Sequence, residues 1–234
     1  MNKTAVISGA TKGIGLAIAH AFAKEGFDLA VCSRNQEDLD LFARAFAKDY
    51  PNSKVWTKVA DLSKVNQVKD FARFVQTQFP TVDVLINNAG VFLPGDILTE
   101  QEGTLESQIE TNLYSAYYLT RELIPAIPKH GHIFNMASIA SFMAYPGGGS
   151  YTISKFAILG FSKVLREELK KQYIKVTSIM PGATWSNSWQ GDNLPPYERL
   201  MPPEDIATMV IAAWQLGPSS VVEDLVIRPQ LGDL

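Results

Sequence analysis

The sequence predicts an α/β protein built on a doubly wound, parallel β-sheet of about seven strands with helices on both faces. Short apolar runs of strand length alternate along the chain with longer segments whose apolar residues recur every three or four positions, the pattern of βαβ units. The chain has 234 residues, 46% hydrophobic and 19% charged, so it can bury a sizeable core. No linker or repeat divides it, and we expect one domain over residues 1–234.

In chain order, each predicted strand is a short run of mostly apolar, often β-branched residues that suits a buried parallel sheet. The strands cover residues 4–7, 29–32, 55–59, 82–86, 132–136, 176–180 and 225–227. The helices after the second and third strands each show one apolar face, formed by Leu39, Phe42, Ala43 and Phe46, and by Val65, Val68, Phe71, Ala72 and Val75. Longer helices over about 104–124 and 151–172 are apolar on more than one stripe, so part of their surface can face another subunit.

The regular alternation breaks once, over residues 183–203, in a stretch rich in Trp, Asn and Pro. Loops of this length without structure of their own are uncommon unless they are functional. We therefore expect residues 183–203 to be a substrate-binding or lid segment.

Composition and charge exclude several classes of function. With 21 Lys and Arg against 24 Asp and Glu, the chain lacks the basic excess of a nucleic-acid binder. A single cysteine, Cys32, and three histidines make a dedicated metal site improbable, and we expect none. No apolar run approaches the roughly 18 residues of a membrane span, and the first residues do not form a secretory signal, so we expect a cytoplasmic protein.

A glycine-rich loop follows the first strand directly and precedes a helix-compatible run. At such a turn, glycines let the backbone approach a pyrophosphate, and free N–H groups at the helix start stabilise its charge. The spacing is Gly-x-x-x-Gly-x-Gly, which by itself also fits a tight turn with close helix packing. The candidate cofactor-binding residues of this loop are Gly9, Thr11, Lys12, Gly13, Ile14 and Gly15.

The end of the second strand indicates which nicotinamide cofactor is preferred. Proteins that bind NAD usually carry an acidic residue there for the ribose hydroxyls, but this sequence reads Ser33-Arg34-Asn35. Arg34 and Lys12 could flank a ribose 2′-phosphate, which an acid would repel. The sequence therefore predicts NADP(H), although a lone Arg34 could also be a solvated charge at a helix start.

A catalytic group is predicted at the start of the long helix that follows Gly147, with Ser150 as its expected N-cap. Tyr151 and Lys155 lie at i and i+4, on one helical face, and Ser138 follows the fifth strand at the edge where open α/β sheets bind ligands. A tyrosine has a pKa of about 10, so acid–base work near neutrality requires the phenolate to be favoured by roughly 4 kcal/mol. A cation about 4 Å away supplies about 4 kcal/mol at an effective dielectric near 20, and we expect Lys155 to lower the pKa of Tyr151 in this way. Burial of the phenol acts in the opposite direction, so we expect the positive ring of an oxidised nicotinamide to help.

A series of motifs runs through nearly the whole chain: the glycine loop, Asp61-Leu62, the Asn-Asn-Ala-Gly run at 87–90, Asn112, Ser138, Tyr151 with Lys155, and Pro181-Gly182. Taken in this order, they resemble the motifs of the short-chain dehydrogenase/reductase family. The resemblance implies a Rossmann-like NAD(P)-binding domain with strand order 3-2-1-4-5-6-7 and a homodimer or homotetramer. It also implies a catalytic set of Asn112, Ser138, Tyr151 and Lys155, in which Lys155 holds the nicotinamide ribose and Asn112 a water.

The resemblance implies further cofactor contacts at the ends of later strands. Asp61 would contact the adenine, although it could equally be the N-cap of a helix starting near Lys64. The other residues implied are Leu62, Asn88, Ala89, Gly90, Pro181, Gly182 and Thr184.

The expected substrate is a small ketone, aldehyde or secondary alcohol on an apolar body, because the candidate pocket residues are mainly aromatic and aliphatic. They are Phe92, Leu93, Phe142, Met143, Tyr145, Trp185 and Trp189, with Ser138 and Tyr151 for orientation. Some of them could instead belong to the core or to a subunit contact.

A 3-oxoacyl thioester or a pterin carbonyl stays open as an alternative substrate. A non-catalytic NADP-binding sensor or scaffold stays open as an alternative function. A serine hydrolase is not favoured, since Ser138 lacks a Gly-x-Ser-x-Gly elbow and no histidine follows it.

Overall fold

The computed structural model describes residues 2–186 and 195–233. Its centre is a seven-stranded sheet of order β3-β2-β1-β4-β5-β6-β7, with every neighbouring pair parallel. The strands are β1 Thr4–Ser8, β2 Asp28–Ser33, β3 Val55–Val59, β4 Val84–Asn87, β5 His132–Met136, β6 Lys175–Pro181 and β7 Asp224–Ile227. The predicted fold class and strand order are confirmed.

Helices cover both faces of the sheet. They are α1 Gly13–Lys24, α2 Gln36–Asp49, α3 Val65–Gln78, α4 Thr104–Ile109, α5 Ser115–Leu123, α6 Gly149–Leu169 and α7 Pro203–Gln215. Successive strand side chains point to opposite faces, so Ala5 and Ile7 of β1 join a core with α1, α2 and α7, while Val6 joins a second core with α3, α5 and α6. This packing is the physical basis of the doubly wound arrangement.

The predicted helix over 104–124 is present but changes its winding in the middle. A π-helical turn, Glu110–Tyr114, joins α4 to α5, and Asn112 lies within it. π turns inside helices are rare and often occur at functional sites. The turn therefore marks Asn112 as a residue whose position matters.

The start of the long helix differs from the sequence-based expectation. The N-cap position of α6 is Gly148, and Ser150 is already helical, so the prediction of Ser150 as N-cap is wrong. The carboxylate of Glu100, from the loop before α4, accepts hydrogen bonds from both the hydroxyl and the backbone N–H of Ser150. An acidic side chain from another part of the chain thus stabilises the N-terminus of α6, a long-range contact that local sequence does not reveal.

Two kinds of feature are not found in the part of the chain that the structure describes. None of its helices combines the length and apolar character needed to cross a membrane. Its His, Cys, Asp and Glu side chains form no group of three or more that could hold a metal ion.

Candidate active site

The glycine loop turns sharply between β1 and α1. Gly9 and Gly13 have φ values of +65° and +54°, which residues with a side chain rarely adopt. A Cβ on Gly15 would lie 2.2 Å from the carbonyl oxygen of Gly9 and 2.4 Å from Nδ2 of Asn88. The loop is therefore packed so closely against the end of β4 that only glycine fits at position 15.

Ser8, the last residue of β1, connects this loop to the loop after β4. Its hydroxyl accepts hydrogen bonds from the backbone N–H groups of Asn88 (2.9 Å) and Ala89 (3.0 Å). In return, Nδ2 of Asn88 donates to the carbonyl oxygens of Ser8 (3.0 Å) and Gly9 (2.9 Å). In the sequence, Ser8 is marked only as a polar residue at the end of an apolar strand, which does not indicate these contacts.

The N-termini of α1 and α2 differ in a way that bears on anion binding. Lys12, at the N-cap position of α1, gives no side-chain hydrogen bond to the helix, and the first turn of α1 has no acidic residue. By contrast, Oδ1 of Asn35 caps α2 by accepting from the N–H of Asp38. The start of α1 thus offers backbone N–H groups and a positive dipole end, which fits a pyrophosphate.

The residues predicted to determine the preference for NADP(H) over NAD(H) lie beside the glycine loop. The hydroxyl of Thr11 lies 3.2 Å from that of Ser33, which places the loop against the end of β2. Arg34 is exposed and makes no ion pair with a described residue. Nζ of Lys12, however, forms an ion pair with Oδ2 of Asp38 at 2.7 Å, a contact that the sequence pattern does not indicate.

Asp61 closes the turn between β3 and α3. Its Oδ1 accepts from the N–H of Ser63 at 3.1 Å, and its own N–H donates to Oε1 of Gln67 at 2.7 Å. Because the N-cap position of α3 is occupied by Lys64, the alternative interpretation of Asp61 as N-cap is wrong. Leu62 is buried in the core beside α3, and the adenine contact stays a prediction.

Lys155 and Asn112 are buried together below the carboxyl edge of the sheet. Nζ of Lys155 donates to the carbonyl oxygen of Met136, at the end of β5, at 2.9 Å. The Asn112 side chain forms two hydrogen bonds with the backbone of Val91. Its Oδ1 accepts from the Val91 N–H at 2.7 Å, and its Nδ2 donates to the Val91 carbonyl oxygen at 3.0 Å. A Cβ on Gly90 would lie 3.1 Å from Oδ1 of Asn112 and 3.7 Å from Nζ of Lys155, so Gly90 is in contact with both.

Ser138 and Tyr151 complete the group; Ser138 is buried, and Tyr151 is partly buried. The Ser138 hydroxyl accepts from the N–H of Ala140 at 3.2 Å and is also hydrogen-bonded to Tyr151. Burial raises the pKa of Tyr151 to about 12, and the Ser138 hydrogen bond acts in the opposite direction. Burial also lowers the pKa of Lys155 to about 8.

These directions correct one expectation. Lys155 was expected to lower the pKa of Tyr151, but in this structure burial dominates and the phenol stays protonated at neutral pH. Nζ of Lys155 lies 5.6 Å from the centroid of the Tyr151 ring and is itself buried. The arrangement therefore favours Tyr151 as a proton donor.

Candidate substrate residues surround Tyr151 on its open side. The Phe92 ring packs edge-on against the Tyr151 ring, with centroids 4.7 Å apart. Tyr145 is close enough to Tyr151 to influence its pKa. Of the other predicted pocket residues, Leu93, on the loop after β4, and Phe142 and Met143, after β5, are exposed. The result is an apolar, partly open surface beside the Tyr151 side chain.

Trp185 lies elsewhere, against the glycine-loop side. It packs against Tyr197 and lines a cavity of about 220 Å³ with Gly13 and His20. Thr184 pairs with Met201 in an isolated parallel bridge, which ties the described ends of the 183–203 segment together. Pro181 ends β6, and Gly182 donates to the carbonyl of Ile227 at 2.8 Å. Trp189 lies outside the described residues.

Comparisons with known proteins agree with this arrangement. A family model described as short chain dehydrogenase matches residues 3–194. Sepiapterin reductase of Chlorobaculum tepidum is 30% identical over 243 aligned residues that cover 100% of this chain and 99% of that protein.

Solved structures of similar proteins include cofactor complexes. An alcohol dehydrogenase from the archaeon Thermococcus sibiricus, complexed with 5-hydroxy-NADP, superposes with a TM-score of 0.90 at 28% identity, covering 98% of this chain and 97% of that one. L-sorbose reductase from Gluconobacter frateurii, complexed with NADPH and L-sorbose, gives a TM-score of 0.87 at 26% identity, covering 97% and 95%. The chain belongs to the short-chain dehydrogenase family and is an oxidoreductase.

Proposed function

We propose that this short-chain dehydrogenase is an NADP(H)-dependent enzyme that reduces a ketone or aldehyde, or oxidises the matching secondary alcohol. The observation that carries the proposal is the joint placement of Ser138, Tyr151 and Lys155 beside a glycine loop that fits a dinucleotide. The exposed Arg34 and the absence of an acid at the end of β2 support NADP(H) over NAD(H). The NADP complexes of similar structures support the same choice.

In the reduction direction, each side chain has a distinct task. When bound, NADPH supplies a hydride for the carbonyl carbon. The N–H of Ala140 holds the Ser138 oxygen, and we expect the Ser138 hydroxyl proton to turn from Tyr151 to the substrate carbonyl when the substrate binds. Tyr151, held protonated by burial, donates its proton to the oxygen as negative charge develops there.

Lys155 stabilises the site as Tyr151 gives up its proton. An ammonium group near the phenolate oxygen favours the charged product, and its pKa of about 8 keeps most of it cationic near neutrality. Its hydrogen bond to the carbonyl oxygen of Met136 holds it in place, and Asn112 fixes the neighbouring Val91 beside Gly90, which contacts Lys155. Asn112 thus acts by positioning, and we propose that it also connects Lys155 to solvent through a water.

The substrate proposed is a carbonyl compound with an apolar or ring-shaped body. Phe92, Tyr145 and the neighbouring exposed side chains offer aromatic surface with few charges. The similarity to sepiapterin reductase keeps a pterin carbonyl among the candidates, and the similarity to L-sorbose reductase adds a sugar ketone. A 3-oxoacyl thioester is less favoured, because residues 226–229 read Val-Ile-Arg-Pro, whereas a Val-Asp-Gly-Gly segment is typical of the family members that reduce 3-oxoacyl thioesters.

A homodimer or homotetramer is part of the proposal. α6 presents Ile153, Phe156 and Val164 to solvent in the single chain, and α5 is preceded by the exposed Tyr114. Large exposed apolar side chains on neighbouring helices favour a subunit contact. Light scattering of the purified protein measures the oligomeric state.

The experiment that tests the proposed function is a panel of ketones, aldehydes and sugar ketones assayed by the loss of NADPH absorbance, with NADH in parallel. The proposal expects turnover of at least one carbonyl with higher kcat/KM for NADPH than for NADH. Binding of NADP⁺ without turnover of any compound would favour the sensor or scaffold instead. A preference for NADH would overturn the cofactor assignment.

A further inference from the structure

An ion pair lies between the glycine loop and the start of α2, beside the residues predicted to determine cofactor preference. Nζ of Lys12 lies 2.7 Å from Oδ2 of Asp38, and about half of the Lys12 side chain is exposed, at 53%, against 23% for Asp38. Lys12 belongs to the glycine loop, and Asp38 to the first turn of α2. The pair therefore bridges the two elements between which an adenosine ribose would lie in this fold.

The local geometry fixes both partners near the end of β2. Asp38 is held through its N–H by the cap residue Asn35 at 3.2 Å. Thr11, next to Lys12, is held by Ser33 at 3.2 Å. Arg34 lies between these contacts in sequence and makes no ion pair with any residue the structure describes. The region thus holds two cations, Lys12 and Arg34, and the two acids of the first turn of α2, and among the described residues only Lys12 and Asp38 of these four form an ion pair.

Such a pair is weak enough to be exchanged. Water and salt screen this pair at its Lys12 end, which is about half exposed, so its contribution to stability is small. A phosphate monoester carries up to two negative charges and more acceptor oxygens than a carboxylate, so it competes well for an ammonium group. A ribose 2′-phosphate can therefore displace Asp38 from Lys12, whereas a ribose hydroxyl cannot.

We propose that Asp38 is a specificity-determining residue that competes with the 2′-phosphate of NADP(H) for Lys12 and so limits the preference for NADP(H) over NAD(H). The inference rests on the proposed function, since it needs a nicotinamide cofactor at this site. In the proposed function, Lys12 and Arg34 establish the preference for NADP(H). The inference adds Asp38 as a residue that weakens this preference. Asp38 touches no group on the catalytic side, so its effect is confined to cofactor choice.

Equilibrium binding tests the proposal without any need for turnover. Dissociation constants of NADP⁺, NAD⁺ and 2′-AMP are measured by titration calorimetry at low salt for the wild type and Asp38→Asn. We expect Asp38→Asn to bind NADP⁺ and 2′-AMP about three- to tenfold more tightly, the size of one weak ion pair, and NAD⁺ within about twofold of the wild type. Asp38→Ser, which also suits a helix start, should behave in the same way.

Two further variants identify the route of the effect. Glu37→Gln removes the same charge from the same turn of α2, but Glu37 makes no ion pair with a described residue, so its NADP⁺ affinity should stay near that of the wild type. In a Lys12→Met background, Asp38→Asn should no longer tighten NADP⁺ binding, because Lys12 is the group for which the two anions compete.

The possible results separate the inference from the proposed function. Unchanged or weaker NADP⁺ binding in Asp38→Asn, or a gain that persists without Lys12, overturns the role of Asp38 while leaving the enzyme proposal intact. A gain of equal size in Glu37→Gln also overturns it, since the effect would then be general to the charge of α2. If the wild type binds neither NADP⁺ nor NAD⁺, the proposed function fails and the inference fails with it.

Discussion

The two edges of the same parallel sheet differ in how their charged side chains are paired. At the amino edge, these side chains are occupied by backbone groups: Asp83 accepts from the N–H of Thr4 at 2.8 Å, and Asp28 accepts from the N–H of Lys54 at 2.8 Å. At the carboxyl edge, Arg34 makes no ion pair with a described residue, and Tyr151 lies beside exposed aromatic side chains.

Buried charge is handled differently at the two edges as well. Arg166 of α6 is buried at the amino edge, where its Nε donates to the carbonyl of Val176 at 3.1 Å and its guanidinium pairs with Glu223 and Asp224. Lys155, on the same helix but near the carboxyl edge, is buried with one carbonyl contact and no carboxylate partner among the described residues. One helix thus carries a satisfied cation at its end and a reactive cation at its start.

In this fold, residues at the amino ends of the strands serve stability, and residues at the carboxyl ends serve chemistry. Open α/β sheets bind ligands outside the carboxyl ends of their strands, so unsatisfied polar groups are useful only there. Variants at the carboxyl edge should therefore change turnover or cofactor binding, and variants at the amino edge should change the free energy of unfolding. The predictions below test this division.

The largest effect is expected for Tyr151→Phe, which removes the proton donor and keeps the ring that packs on Phe92. We expect kcat to fall by about two to four orders of magnitude with little change in NADP⁺ affinity, as is usual when a general acid is lost. Tyr173→Phe, an exposed tyrosine just before β6, is the matched control and should leave kcat unchanged. Steady-state kinetics and cofactor titration measure both, and half of the wild-type turnover in Tyr151→Phe would remove Tyr151 from the mechanism.

Gly15→Ala should be the next most damaging change. The added Cβ would lie 2.2 Å from the Gly9 carbonyl oxygen, so the loop must shift, and overpacking of this kind costs about 1–3 kcal/mol of unfolding free energy. NADP⁺ affinity should fall by at least about tenfold, because the same backbone forms the proposed pyrophosphate site.

Gly160→Ala is the control for this prediction. A Cβ on Gly160, in the middle of α6, meets nothing within 4 Å, and alanine favours the helix by about 1 kcal/mol. Denaturant unfolding should show a small gain in stability. Wild-type NADP⁺ affinity in Gly15→Ala would contradict the close-packing account of the loop.

Arg166→Met should lower the free energy of unfolding by about 2–3 kcal/mol, since it leaves the Val176 and Glu223 carbonyls without their charged donor. The kcat/KM of the folded protein should stay within about twofold of the wild type, because the site lies at the other end of the sheet. Lys163→Met, on an exposed face of α6, controls for loss of a positive charge. A large loss of kcat/KM with normal stability would break the division between the edges.

The smallest predicted effect is a pH dependence set by His132, at the start of β5. Burial lowers its pKa from 6.5 to about 3, so below about pH 6.5 the unfolded chain binds a proton that the folded chain does not. Stability should therefore fall as pH is lowered through this range, by about 2 kcal/mol from this residue between about pH 7 and pH 5.

His132→Gln should reduce this slope, whereas His130→Asn, at an exposed residue with a φ of +71° that asparagine tolerates, should not. Denaturant unfolding at the two pH values measures the slope. Equal slopes in the wild type and His132→Gln would show that His132 is not the source.

Sequence alone predicted the ends of all seven strands to within two residues, because buried parallel strands read as short apolar runs. It also placed Ser138, Tyr151 and Lys155 at one edge, since parallel strands share a direction. It missed contacts between residues distant in sequence, such as Glu100 with Ser150 and Ser8 with Asn88. It also missed that burial outweighs the Lys155 charge at Tyr151, because burial depends on packing that local patterns do not contain.

The pH dependence of kcat for carbonyl reduction, at saturating NADPH and substrate, tests most directly whether Tyr151 works as an acid beside a cationic Lys155. With the pKa of Tyr151 raised to about 12 and that of Lys155 lowered to about 8, kcat should be level below about pH 8 and fall above it as Lys155 loses its charge. A kcat that rises through the same range would mean that the deprotonated form of the pair is the active one, and would contradict the account.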